Sequence, residues 1–268
     1  KLLQIRKKRT KPFFDDKTQT DLNSYWIYSI LHSSFILNDK KLFDQANEYF
    51  NNLKKILSKN IFHCYNKDRK EIDVFLEDYS YFCLLLVSMY EIKNDKESIK
   101  LCSELMKYTW ENFYDEENVI LQKNIKTNND LFVKPIDIID NNIPNGNSIF
   151  LLVCNKLFNI TGDTFWEEKI INLKKSFHSF LNNSFSQMFS YIKIIDICEQ
   201  NLTITFHGNN EKLKHIKEIL VKDYFETATF IYKNNENESF VIVCKNQTCS
   251  EKLKDIEDVK KYLDEKLI

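Results

Sequence analysis

From Ser80 to Ile92 the chain reads Ser-Tyr-Phe-Cys-Leu-Leu-Leu-Val-Ser-Met-Tyr-Glu-Ile. Wound as a helix, Tyr79, Phe82, Cys83, Leu86, Met89 and Tyr90 fill one face, and Leu84, Leu85 and Val87 fill the others. A helix that is apolar all round must be covered on every side, so this segment has to lie at the centre of a helical assembly. It opens with Phe75-Leu76-Glu77-Asp78-Tyr79. Two acids therefore stand at the rim of a core, where they cap backbone N–H groups or do chemistry.

The same pattern recurs. Apolar helices are expected over Tyr25–Phe35, Glu77–Ile92 and Asn147–Phe158. Each is followed by an amphipathic partner, with Leu42 to Leu57, Ile99 to Phe113 and Phe165 to Leu181 marking the inward stripes. Between the members of each pair lie Asn38-Asp39, Asn94-Asp95 and Gly162-Asp163. In such a link the Asn or Gly ends one helix and the Asp caps the next. The repeat is thus inner helix, tight turn, outer helix, long return. A fourth inner helix, Gln187 to Cys198, has no outer partner.

Alternating buried and half-buried helices in antiparallel hairpins is what an α/α toroid requires, and the chain supplies about three and a half hairpins of a ring of six. With only three Gly and three Pro in 268 residues, a turn-rich many-stranded fold is excluded. After Leu202 the rhythm changes to a β-α-β-β-α order: strands at 202–206, 227–232 and 240–244, with helices around 213–220 and 255–267. The last two strands are expected to form a hairpin across Lys233 to Glu238. The expected division is therefore a mainly α half-toroid over 1–199 and a small α/β module over 200–268.

Thirty-eight basic against 39 acidic residues leave no net field to draw in nucleic acid or an anionic membrane. The six basic residues between Lys1 and Lys11 read as a solvated helix end. The longest apolar run, Tyr81 to Val87, is too short for a bilayer, and no leader pattern opens the chain, so a cytoplasmic location is expected. The cysteines are seven, an odd number, and four sit in apolar helical runs. That favours buried thiols in a reducing compartment, with Cys244 and Cys249 reduced at a turn, although a disulfide between them is geometrically conceivable and exchange with a redox partner is the alternative. His63 and His207 are isolated in sequence. No metal constellation and no cofactor motif is expected.

Antiparallel hairpins bring every inner-helix N-terminus to one end. Asp15-Asp16-Lys17, Glu77-Asp78 and Pro144-Asn145-Gly146-Asn147-Ser148 should therefore meet at a mouth carrying free N–H groups and partial positive charge. Glu77 and Asp78 suit general acid and base work, with Asp16 or Asp15 as the opposing carboxylate, because sugar chemistry often needs two carboxyls facing across a cavity. Their alternative role is helix capping, or pairing with Lys17. Tyr79 is expected in the core with its hydroxyl at the rim. Asn147 and Ser148 either cap a helix or offer hydrogen bonds to a ligand.

The ordered motifs Arg9-x-x-Pro12-x-x-Asp15-Asp16-Lys17, Asn23, Phe75-Leu76-Glu77-Asp78-Tyr79, Asp140-x-x-x-Pro144-x-Gly146-Asn147-Ser148 and Cys244-x-x-x-x-Cys249 resemble the C-terminal part of the YyaL-like thioredoxin-domain proteins, relatives of spermatogenesis-associated protein twenty. The chain departs from that pattern at Leu22-Asn23-Ser24, where Trp-Asn-Gly is usual, and at Asn145, where Ser is usual. The resemblance implies an (α/α)6 toroid similar to those of N-acylglucosamine 2-epimerases and six-hairpin glycosidases. It also implies a missing N-terminal half with a thioredoxin-like domain, in the same or a companion chain. It points to a carbohydrate or small polar ligand in a mouth built from Asp15, Asp16, Lys17, Asn23, Glu77, Asp78, Tyr79, Asn147 and Ser148. The alternative is a non-catalytic scaffold presenting clients to the thioredoxin-like half.

Overall fold

The computed structural model describes residues 1–65, 70–71, 74–127, 135–234, 238–246 and 248–267. A short exposed helix α1 (Leu2–Lys7) precedes the repeat. Three hairpins follow: α2 (Thr20–Ile36) with α3 (Lys40–Leu57), α4 (Leu76–Lys93) with α5 (Lys96–Phe113), and α6 (Gly146–Thr161) with α7 (Thr164–Ser184). A fourth inner helix, α8 (Phe189–Gln200), follows a 3-10 turn at Phe185–Gln187.

The hairpin turns are built as the sequence requires. Asn38, Asn94 and Gly162 take the left-handed conformation at φ 51°, 58° and 68°, ending the inner helices. Asp39 then accepts from the Lys41 and Leu42 N–H groups, Asp95 from Glu97 and Ser98, and Asp163 from Phe165. These caps fix the antiparallel return of each outer helix.

Helix α4 is buried from Leu76 to Ile92 and packs between α2 and α6. Its Phe82, Leu85 and Leu86 are fully covered, and each such side chain contributes ~1.5–3 kcal/mol of burial. Helix α2 differs from the expectation of burial on most faces: Leu22, Trp26 and Ile36 are exposed, because no described helix covers that side. Tyr49 of α3 continues the exposed face, its ring 5.3 Å from that of Trp26.

The loops at the inner-helix N-termini carry two-residue strands. β1 (Thr18–Gln19), β2 (Cys64–Tyr65) and β3 (Lys70–Glu71) form one antiparallel ribbon, and β4 (Tyr114–Asp115) pairs with β5 (Ile120–Leu121). The C-terminal sheet comprises β6 (Leu202–His207), β7 (Ala228–Lys233), β8 (Phe240–Lys245) and β9 (Thr248–Cys249), in the order β7-β6-β8-β9. α9 (Glu211–Tyr224) links β6 to β7, and α10 (Ile256–Leu267) closes the chain.

The expected hairpin between 227–232 and 240–244 does not form. β7 runs parallel to β6 after the α9 crossover and occupies one edge, leaving the other edge for antiparallel β8. Residues 235–237 of the intervening segment lie outside the described residues. Cys244 stands directly opposite Cys249 across the β8–β9 turn, and the two are disulfide-bonded, not reduced as expected. Cys64, Cys83, Cys102 and Cys154 are buried thiols outside any disulfide, and Cys198 is a half-buried one. No described helix is long and apolar enough to cross a membrane.

Candidate functional site

The N-termini of the inner helices meet. Asp21 and Glu77 are the second residues of α2 and α4, and the Asp21 N–H donates to Asp78 Oδ1 at 3.2 Å. At α6, Gly146 comes so close to Glu77 that a β-carbon there would lie 3.1 Å from Glu77 Oε1. This glycine is needed for space, not for an unusual backbone angle. Asp140 ties α6 to α8, accepting from the Asn145 N–H at 3.0 Å, from the Ser190 N–H at 2.7 Å and from the Ser190 hydroxyl.

Between these ends lies a cleft of about 230 Å³, lined by Asp21, His63, Phe75, Glu77, Lys123, Asp137 and the 139–145 loop, including Asn145. Glu77 is 9% exposed, and its Oε2 has no hydrogen-bond partner among the described residues. Burial raises its carboxyl to about 7, opposed by the nearby Lys123 ammonium and reinforced by Asp137 and Asp78. Lys123 and Asp137 pair at 3.5 Å. A half-protonated carboxyl on a cleft wall at neutral pH can both give and take a proton.

Asp78 is fully buried and used differently. Its Oδ2 accepts from the Phe75 N–H at 2.8 Å, and His63 Nδ1 lies 3.1 and 3.2 Å from its two oxygens. Burial pushes its pKa up, with the His63 hydrogen bond opposing. That same bond raises the pKa of His63. His63 reaches this place because the ribbon strand β2 follows it and Thr20 N–H donates to its carbonyl at 2.9 Å.

Ligating atoms of Asp21, His63 and Asp78 all lie within 4.8 Å of one another, a grouping of metal-ligand types that the scattered sequence positions do not announce. Asp78 is already engaged by His63 and by the Asp21 and Phe75 N–H groups, and Asp21 Oδ1 by the Leu22 N–H. The arrangement is first a hydrogen-bonded pair supporting the Glu77 wall.

The expected site residues divide. Glu77 lines the cleft, and Asp78 stands behind it. Asp15, Asp16 and Lys17 are exposed on the segment before β1, where Asp15 and Lys17 pair at 3.5 Å, and none of the three lines the cleft. The carboxylates that share the cleft with Glu77 are Asp21 and Asp137, not Asp15 or Asp16. Asn23 Nδ2 donates to the Gln19 carbonyl at 2.7 Å. The Tyr79 ring packs 5.6 Å from both Tyr108 and Phe113 in the core, and burial raises its pKa.

Asn147 is fully buried and holds β5. Its Oδ1 accepts from the Leu121 N–H, and its Nδ2 donates to the Leu121 and Asp137 carbonyls. Ser148 is buried with its hydroxyl unpartnered among the described residues. The cap of α6 is Asn145, accepting from Ser148 N–H at 2.9 Å. Residues missed in the sequence are Asp21, His63, Lys123 and Asp137. The signal for Asp21 was available: it holds the same second helical position as Glu77.

No family model matches this chain, and no curated protein does. Solved structures do. A GH76 α-mannanase of Bacteroides thetaiotaomicron superposes with a TM-score of 0.52 at 14% identity, over 69% of this chain and 53% of that one. Cellobiose 2-epimerase from Bacillus thermoamylovorans superposes with a TM-score of 0.50 at 13% identity, over 63% of this chain and 45% of that one. At such identities the likeness shows the fold: the helical part is a toroid-like α/α array, with a small sheet module besides. The chain spans about half the length of the structures it matches.

Proposed function

We propose that the cleft at the inner-helix N-termini takes a carbohydrate or similar small polyhydroxy ligand, and that Glu77 is its proton-transferring carboxyl. The observation that carries this reading is the Glu77 side chain: buried, raised to about 7, lining the cleft and with one oxygen unpartnered among the described residues. Asp21 and Asp137 supply further carboxylates, and Lys123 a cation, around the same space. Sugar hydroxyls need such mixed donors and acceptors. The two structural neighbours are, by name, enzymes acting on mannan and cellobiose, and a carbohydrate ligand is the class their names suggest testing.

In this proposal Asp78 is a positioning residue. It fixes His63 and the start of α4, and so holds Glu77 at the wall. The ordered motifs from Arg9 to Cys249 support placement with the YyaL-like proteins, as the C-terminal part of a cytoplasmic protein whose other half carries a thioredoxin-like domain. The change of rhythm after Leu202 supports the division at about residue 199.

The test is titration of the chain with cellobiose and with an α-linked mannobiose, followed by NMR of the anomeric protons for turnover. Binding of either sugar with loss of turnover in Glu77→Gln supports the reading. Unchanged behaviour in Glu77→Gln, or no binding of either sugar, removes it.

A second reading, a scaffold completed by another helical layer, is favoured by the exposed apolar face of Leu22, Trp26, Ile36 and Tyr49. It predicts self-association of the isolated chain in sedimentation, relieved by Trp26→Asp. A monodisperse chain that Trp26→Asp leaves unaltered contradicts it.

A further inference from the structure

At the opposite ends of α2 and α4, where the helices run into the C-terminal module, lies a second cavity of about 420 Å³. It is bounded by the α2–α3 turn on one side and α9 on the other. Its apolar wall comes from Phe35, Phe43, Ile92 and Val221, and its charged groups are Lys40, Lys214, Lys217 and Lys222 against Asp39 and Glu218.

Of the two acids, the exposed Glu218 neighbours Lys217 and favours its charged form. Asp39 is occupied as the cap of α3. Lys214 is paired with Glu211 at 2.5 Å, while Lys217 makes no hydrogen bond or ion pair with any described residue. Its ammonium lies 4.5 Å over the Tyr232 ring. An amine drawn out of water without an anion is costly, and a cation over one aromatic face recovers only part of that cost. Burial accordingly pushes Lys217 down to about 8.

We infer that this cavity binds a small amphipathic anion, an aryl or acyl body ending in a carboxylate, sulfonate or phosphate. Lys217 meets the negative group, and Phe35, Phe43, Ile92 and Val221 cover the apolar body. The cavity's size and the apolar wall beside its charged rim match small-molecule sites in general. It is separate from the Glu77 cleft and shares no lining residue with it.

The probe is 8-anilinonaphthalene-1-sulfonate, titrated by fluorescence against the full chain, with neutral N-phenyl-1-naphthylamine as its uncharged counterpart. Lys217→Met keeps the aliphatic stem over Tyr232. It is expected to weaken the sulfonate probe by about tenfold or more while leaving the neutral probe within about twofold. Trp26→Ala, on the exposed face of α2, should leave both unchanged. On the unmutated chain, sulfonate affinity should fall from about pH 7 to about pH 9.5 as Lys217 loses its proton. Sulfonate affinity that is absent, flat across that pH range, or equal in Lys217→Met overturns the assignment, as does dependence on Trp26 instead of Lys217.

Discussion

Lys156 of α6 and Glu91 of α4 form a buried ion pair at the junction of the helical array and the sheet, with Lys156 Nζ 2.8 and 3.0 Å from the two carboxylate oxygens. The same ammonium donates to the Ala228 carbonyl of β7 at 2.9 Å. Glu91 Oε1 also accepts from the Phe230 N–H at 3.2 Å, and its backbone carbonyl accepts from the Tyr232 hydroxyl. One pair thus fastens two inner helices to the edge strand of the module. Lys156→Met leaves a buried carboxylate without its cation and should cost about 3–5 kcal/mol. Glu91→Met in the same chain should recover much of that loss. Urea denaturation measures both, and a single mutant as stable as its parent contradicts the clip.

Glu77 sets a pH dependence. Its folded-state pKa, about 7, lies above the ordinary 4.5. The folded chain therefore binds the proton more tightly than the unfolded one. This group's contribution is fully present below about pH 4.5 and is lost as pH rises through 7, a span of about 3 kcal/mol. Glu77→Gln should flatten that window and stabilise the chain at about pH 8. Parallel melting curves for both proteins over that range would contradict it.

Asn147 and Ser148 are neighbours with opposite expectations. Asn147→Ala leaves the Leu121 N–H and two carbonyls without their buried partner and should cost about 2–4 kcal/mol. Ser148→Ala removes a buried hydroxyl that has no described partner, so stability should stay level or rise. Chemical denaturation of the two variants decides. The result that would reverse their roles is a costly Ser148→Ala beside a harmless Asn147→Ala.

Gly146→Ala tests the approach of α6 to the cleft. The added methyl would meet Glu77 Oε1 at 3.1 Å and the Glu77 carboxyl carbon at 3.2 Å. The Glu77 carboxyl and the Leu76 side chain must give by a few tenths of an ångström, and a carboxyl pushed toward the cleft should have its pKa move toward the ordinary value. A Glu77 titration identical to that of the parent would show that the glycine is there for another reason.

The hairpin repeat was legible because its signals are local: an apolar or amphipathic period, then Asn or Gly, then a capping Asp at 39, 95 and 163. Convergence of the inner-helix ends followed from antiparallel pairing. The identity of the cleft residues did not. Asp21, His63 and Asp137 come from three separate loops and helix starts, and only the folded ribbon of β1 and β2 sets His63 beside Asp78. Asp16 stands out in sequence because it belongs to a charged run, while the helix begins four residues later, at Thr20. Strand order in the module was hidden for a similar reason. Thr227–Tyr232 and Phe240–Cys244 look like partners in sequence, yet β6 offers each a free edge. That sheet order, with the β8–β9 turn, is what sets Cys244 against Cys249.

The most direct measurement is the titration of Glu77 itself, by carbon NMR of the chain labelled at glutamate carboxyl carbons. The account predicts one resonance titrating near 7, absent from Glu77→Gln and displaced when cellobiose or an α-linked mannobiose is added. A spectrum with no resonance near 7 that Glu77→Gln removes, and none moved by either sugar, would contradict it.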